Sequence, residues 1–176
     1  IGAGLGGGSS DAAFTLIGLN KLFNLKLTNT QLKMYALQLG ADCPFFIENK
    51  PMLAKGIGED LTAIELNLSE FHIVVIKPDV HVSTAMAYAG VVPQETVISV
   101  KTLLKVPISE WQLKNDFEPS VFAQFPVVER VKNLLILEGA VYASMTGSGS
   151  AVFGLFRDKP LISLKNADIF HLNPTV

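Results

Sequence analysis

Gly4-Leu-Gly-Gly-Gly-Ser-Ser10 puts four glycines and two hydroxyls into seven positions, just ahead of an apolar run with helical spacing. Glycine adopts positive φ and has no Cβ to keep a ligand off the backbone. The helix that follows offers unpaired N–H groups and the positive end of its dipole. Together these suit the phosphates of a nucleotide. The competing reading is a surface turn that only caps a helix. Ordering three consecutive glycines is costly in conformational entropy, which favours the phosphate reading. The loop is not a Walker loop, because no Gly-Lys-Ser/Thr follows. Its glycine spacing also differs from the Rossmann fingerprint.

Three other places carry usable chemistry. Asp42 follows Gly40-Ala41 and precedes Cys43-Pro44. A carboxylate held there by a tight turn among apolar neighbours could accept a proton, although the residues alone favour a capping or turn role. Thr146-Gly-Ser-Gly-Ser150 lies between two apolar runs. It fits close backbone approach to an anion, or a hairpin loop that needs glycine for its φ angles. Tyr88 could stack on a base or fill a core. Cys43 reads as a small buried side chain, and as the only cysteine it excludes an intrachain disulfide. His72 and His171 belong to no His-Glu-x-x-His or similar spacing, so a protein-bound zinc is not expected.

These residues need elements to hold them. Ser9, Ser10 and Asp11 are N-cap candidates for a helix reaching about Phe23. Thr28-Asn-Thr-Gln31 fits a capping box ahead of a helix from Leu32 to Leu39, stopped by Gly40. Phe45 to Ile47 and Met52 to Ala54 read as short strands around Asn49-Lys50-Pro51, with Leu61 to Leu66 as another. Phe71 to Ile76 is a β-branched run ended by Pro78. Ser83 to Ala89 and Val97 to Leu104 read as short helices. Pro126 suits the first position of an amphipathic helix that ends at Glu138-Gly139. Val141 to Met145 and Ala151 to Phe156 are expected as adjacent antiparallel strands, and Ile169 to Leu172 as an edge strand. Strands and helices without strict alternation give an α+β class. A domain boundary is expected near residues 67–70, giving parts 1–67 and 68–176.

Bulk properties narrow the function. Hydrophobic residues make up 49% of the 176 and charged residues 17%, which is globular and not disordered. A net charge of -2 argues against a nucleic-acid partner. No apolar run approaches the ~18 residues that span a bilayer. The opening stretch has no basic n-region or cleavage site and does not read as a signal peptide. A cytoplasmic protein without a membrane partner is the plain expectation.

Gly4-Leu-Gly-Gly-Gly-Ser-Ser-Asp-Ala-Ala13, Leu39-Gly-Ala-Asp-Cys-Pro44 and Met145-Thr-Gly-Ser-Gly-Ser-Ala-Val-Phe153 together resemble the GHMP kinase superfamily. Lys55-Gly-Ile-Gly-Glu59 and Asn115-Asp-Phe-Glu118 look similar to that family as well, and the likeness runs to about Phe156. The resemblance implies a two-domain architecture, with part of a ribosomal S5 domain 2-like N-domain and a ferredoxin-like C-domain. It implies ATP and Mg2+ as cofactors. It also implies phosphorylation of the 2-hydroxyl of cytidine diphosphate methylerythritol, in the non-mevalonate isoprenoid pathway. The triple glycine and the Leu-Gly-Ala-Asp-x-Pro block favour that substrate over mevalonate, homoserine or galactose. Another small-molecule kinase of the family, or a non-catalytic binding module, are the alternatives.

On this resemblance Gly4, Leu5, Gly6, Gly7, Gly8, Ser9 and Ser10 surround the ATP phosphates, and Ser10 is the metal contact. Asp42 takes the proton from the substrate hydroxyl. Tyr88 stacks on the cytosine, Thr84 lies in the same wall, and Gly147, Ser148 and Gly149 shape the site from the C-domain. The family places a lysine, a Tyr-His pair and much of the adenine pocket ahead of the glycine loop. The chain is therefore expected to be a C-terminal portion of the kinase, inactive alone and prone to self-association through an exposed sheet edge.

Overall fold

The computed structural model describes residues 3–92 and 98–174. The chain divides into two compact units, one spanning Gly6–Leu66 and the other running from Asn67 onward and taking in Ala3 to Leu5.

The first unit begins with α1 (Gly7–Leu22), α2 (Asn29–Leu39) and α3 (Cys43–Glu48). The capping box forms as the spacing predicts: the Thr28 hydroxyl accepts from the Gln31 N–H at 3.3 Å, and the Thr28 N–H donates to the Gln31 side chain at 2.9 Å. Asn20 secures the connection between α1 and α2, its side chain exchanging two bonds with the Leu27 backbone at 3.0 and 3.1 Å. Ala13, Leu32, Ala36, Cys43 and Ile47 form the core where the three helices meet. Leu22, Phe23, Met34 and Leu39 remain exposed.

Two local expectations fail here. Phe45 to Ile47 is helical, inside α3, and not a strand. Pro44 supplies a preset φ in the first turn, and Asn49 ends the helix in the left-handed conformation. The hairpin partner of β1 (Met52–Lys55) is instead β2 (Asp60–Ala63), shorter than the Leu61 to Leu66 expected.

Glu48 at the end of α3 bonds to Lys33 and, at 2.6 Å, to Lys50. The Lys33 bond first, and then the Lys50 bond, hold its carboxyl from the ordinary 4.5 down to about 2. A depressed native value stabilises the fold above the unfolded value and loses that stabilisation as pH falls through the native one. The wild-type denaturation midpoint should therefore drop more steeply between pH 4.5 and 2 than that of Glu48→Gln. Parallel curves would show that the cluster does not stabilise the fold.

The second unit is built on β3 (His72–Pro78), β4 (Tyr142–Met145), β5 (Val152–Phe156) and β6 (Ala167–Leu172). They form one antiparallel sheet in the order β4-β5-β3-β6. Counted within the unit, that order is 2-3-1-4, the split βαβ arrangement of a ferredoxin-like sheet. The strands around residues 146–150 pair as expected, with Met145 opposite Val152 and Tyr142 opposite Leu155. β6 lies at an edge against β3. Residues 157–166 carry no helix, where a ferredoxin-like fold has its second one.

Helix α7 (Pro126–Leu137) starts on its proline as expected. It lays Val128, Val131 and Leu135 against Val74, Ile76, Met145 and Val152 of the sheet. α4 (Thr84–Ala89) is capped by the Ser83 side chain, and α5 (Val100–Leu103) by Ser99. The Val97 end of the helix expected there lies outside the described residues. α6 (Glu118–Gln124) was not expected from the pattern, and it packs between α4 and α7 through Gly90–Ser120 and Val121. No described helix is long and apolar enough to cross a membrane.

Candidate active site

In the first unit the glycine loop runs directly into α1. Gly6 is the N-cap at φ 65, and its carbonyl accepts from the Ser10 N–H at 2.9 Å. Ser9, Ser10 and Asp11 therefore lie inside the helix and do not cap it. No side chain caps the α1 terminus. A Cβ on Gly6 would come within 2.9 Å of the Phe46 ring, so glycine there lets α3 close against the loop. Gly7 and Gly8 face open space, with no atom beyond their own helical turn within 4 Å of a Cβ. An uncapped helix start lined by glycines leaves N–H groups that an anion can reach.

Asp42 stands at the N-cap of α3, at φ -83 and ψ -15, and its side chain makes no capping bond. It is exposed, so the apolar enclosure expected around it does not form. Its neighbour is Gly58, where a Cβ would lie 3.5 Å from Asp42 Oδ1. Gly58, at φ 114, belongs to the Lys55–Glu59 turn, which Glu59 closes by accepting from the Ile57 N–H at 2.7 Å. Among the described residues the carboxylate makes no hydrogen bond or ion pair, and it is reachable from outside, as a proton acceptor requires.

In the second unit the loop after β4 forms a second glycine bend, with Gly147 at φ 53 and Gly149 at φ 85. The Gly149 N–H closes on the Thr146 carbonyl at 3.0 Å. Ala3 to Leu5 is attached to this loop. The Thr146 hydroxyl donates to the Gly4 carbonyl at 2.8 Å, and the Ala151 N–H to the Ala3 carbonyl at 3.1 Å. Gly4, at φ 73, is so close that a Cβ would sit 2.0 Å from the Thr146 carbonyl oxygen. The Ser150 hydroxyl, fully buried, donates to the Val80 carbonyl at 2.8 Å.

Thr84 and Ser148 meet through their hydroxyls at 3.4 Å. Tyr88, one turn further along α4, is 65% exposed. Its ring packs against Phe117 in a T-shaped pair, with centroids 4.9 Å apart and planes at 70°. An aromatic with most of its area open to solvent can still accept a stacked base. Thr84, Tyr88 and the Gly147–Gly149 bend thus share one unit, and Asp42 and Gly6 to Ser10 share the other. Phe46, Gly58 and the bonds made by Asn115 and Glu118 were not assigned roles from sequence. Their contacts join positions far apart in the chain, which local patterns do not record.

The family model for the GHMP kinases N terminal domain matches residues 1–50, and that for the GHMP kinases C terminal domain matches 105–166. The chain is 51% identical over 164 residues to a 4-diphosphocytidyl-2-C-methyl-D-erythritol kinase of Bacteroides fragilis, covering 92% of this chain and 60% of that protein. It is 54% identical over 157 residues to the kinase of the same name from Bacteroides thetaiotaomicron, covering 88% and 57%. The chain thus spans about 60% of the length of these relatives. A crystal structure of 4-(cytidine 5'-diphospho)-2C-methyl-D-erythritol kinase superposes with a TM-score of 0.76 at 35% identity, over 88% of this chain and 57% of that one. A homoserine kinase from Cytophaga hutchinsonii shares the fold, with a TM-score of 0.65 at 18% identity over 97% and 66%. With both family models matched in chain order on the two units, and a solved kinase superposing at 35% identity, the chain belongs to the GHMP kinases.

Proposed function

We propose that the full-length protein transfers the γ-phosphoryl group of ATP to the 2-hydroxyl of 4-diphosphocytidyl-2-C-methyl-D-erythritol. The observation that carries this reading is the 51% identity over 92% of the chain to a kinase of that name. The exposed start of α1 suits a triphosphate and the open ring of Tyr88 suits a pyrimidine, which supports the same reading. A reaction between two nucleotide-bearing substrates also fits a cytoplasmic location.

Phosphoryl transfer asks for positioning and charge stabilisation more than for covalent help. In the proposed mechanism the backbone from Gly4 to Ser10 holds the phosphate chain against the α1 terminus. Tyr88 stacks on the cytosine, while Thr84 and the Gly147–Gly149 bend orient the diphosphate arm. Asp42 receives the hydroxyl proton as the alcohol oxygen bonds to the γ-phosphorus, and ADP leaves with the electron pair of the broken P–O bond. Magnesium fits this donor set only in part. Among the described residues no group of three or more His, Cys, Asp or Glu side chains is placed to hold a metal ion. The ion would enter on the triphosphate, with the Ser10 hydroxyl as its protein contact, and would neutralise phosphate charge.

The test is a competition between alcohols. With ATP and the full-length protein, kcat/KM for the cytidine-bearing alcohol should exceed those for homoserine and galactose by a factor on the order of 10³, because only it offers a base to Tyr88. Equal or reversed preference would overturn the substrate assignment and leave the family unchanged.

A further inference from the structure

Asn115 lies 30 residues before Met145, the last residue of β4, and its amide bridges both ends of the turn that leaves that strand. Nδ2 donates to the Met145 carbonyl and to the Gly147 carbonyl, each at 2.8 Å. Oδ1 accepts from the Phe117 N–H at 3.0 Å, so every polar atom of the amide is engaged. Two residues on, Phe117 supplies the edge contact that holds Tyr88. Glu118, 9% exposed, completes the tie. Its Oε1 accepts from the Met145 N–H at 2.9 Å and the Ser144 hydroxyl at 3.2 Å, and its Oε2 from Lys132 at 2.5 Å. One four-residue stretch thus sets the position of the glycine bend and of the exposed aromatic.

We infer that Asn115 is a positioning residue for the cytidine-diphosphate arm of the alcohol substrate. The inference rests on the function proposed above. Its logic is geometric. Carbonyl oxygens drawn onto an amide are not free to repel an anionic diphosphate, and an amide offering two donors is the neutral group that can draw in both. The same side chain also bonds to Phe117, so one residue touches both the bend and the aromatic that packs on Tyr88.

Asn115→Asp keeps the shape and replaces the two donors by a carboxylate facing two carbonyls. In the full-length enzyme it should raise KM for the cytidine alcohol, and Kd for cytidine diphosphate as a probe, at least tenfold. KM for ATP should stay within about twofold. Asn115→Ser removes the bridge without adding charge, and should raise the same two constants about fivefold while folding more readily. A purely structural role would lower the thermal midpoint and the folded fraction, with KM for both substrates unchanged in the folded enzyme. That result in either variant overturns the inference, as does a parallel loss toward ATP. The two layers are separable on the wild type. If it neither binds cytidine diphosphate nor turns over the cytidine alcohol, the proposed function fails and takes this inference with it. If the wild type does both and the variants match it, the inference alone fails.

Discussion

Replacing Asp42 by Asn in the full-length kinase is expected to leave substrate affinity near its wild-type level, while turnover falls by a factor on the order of 10² to 10⁴. That range corresponds to about 3 to 5 kcal/mol of lost transition-state stabilisation. The two side chains have the same shape, and only the carboxylate accepts the proton. The fold gives little reason for a structural penalty. Asp42 is exposed and makes no capping bond at α3, so Asn inherits no broken contact. The close approach of Gly58 is to Oδ1, a position the amide also fills. Single-turnover kinetics at saturating ATP and alcohol isolate the chemical step. Turnover within about threefold of wild type would reduce Asp42 to a turn residue.

The elements that were readable before the structure are those whose signals are local. The Thr28–Gln31 box, Pro126 at the start of α7 and the β-branched run in β3 each encode their element within a few residues. The Phe45–Ile47 stretch misleads for the same reason. Phe-Phe-Ile is strand-like in composition, and its six-residue helix is too short to show a helical period. α6 was hidden by Pro119, which reads as a breaker but lies in the first turn, where proline is tolerated. The glycine bends were readable because positive φ calls for glycine. What they pack against was not. The bond from Thr146 to Gly4 spans 142 residues and that from Asn115 to Gly147 spans 32. The exposure of Asp42 is likewise a property of how α3 and the Lys55–Glu59 turn are laid out, which no spacing in the chain specifies.

The second large effect separates two glycines of the same loop. Gly4→Val places a β-branched residue at φ 73, with its Cβ aimed at a carbonyl oxygen 2.0 Å away. Positive φ costs a non-glycine residue about 1–2 kcal/mol. The shift needed to relieve the overlap would break the bonds to Thr146 and Ala151, each worth about 1 kcal/mol. A loss of about 3 to 4 kcal/mol is therefore expected in urea denaturation. At Gly7 a Cβ meets no atom within 4 Å beyond its own helical turn, and the residue lies in the first turn of α1. The stability of Gly7→Val should stay near wild type, while KM for ATP rises at least tenfold, because the side chain occupies the space through which the phosphates approach. The contrast is the test. Gly4→Val with wild-type stability would contradict the packing described between Ala3–Leu5 and the Thr146–Ser150 loop. Gly7→Val with unchanged ATP affinity would contradict the phosphate cradle.

The central claim is the proposed reaction, transfer of the γ-phosphoryl group of ATP to the 2-hydroxyl of the cytidine-bearing alcohol with Asp42 as the base. The most direct measurement follows the phosphorus. Full-length enzyme is incubated with ATP, magnesium and 4-diphosphocytidyl-2-C-methyl-D-erythritol, and the products are read by phosphorus NMR. The account predicts a new phosphomonoester resonance on the methylerythritol 2-hydroxyl, growing in step with ADP and absent with Asp42→Asn on the same time scale. ADP and inorganic phosphate without a phosphomonoester, or a phosphate on a different hydroxyl, would contradict it.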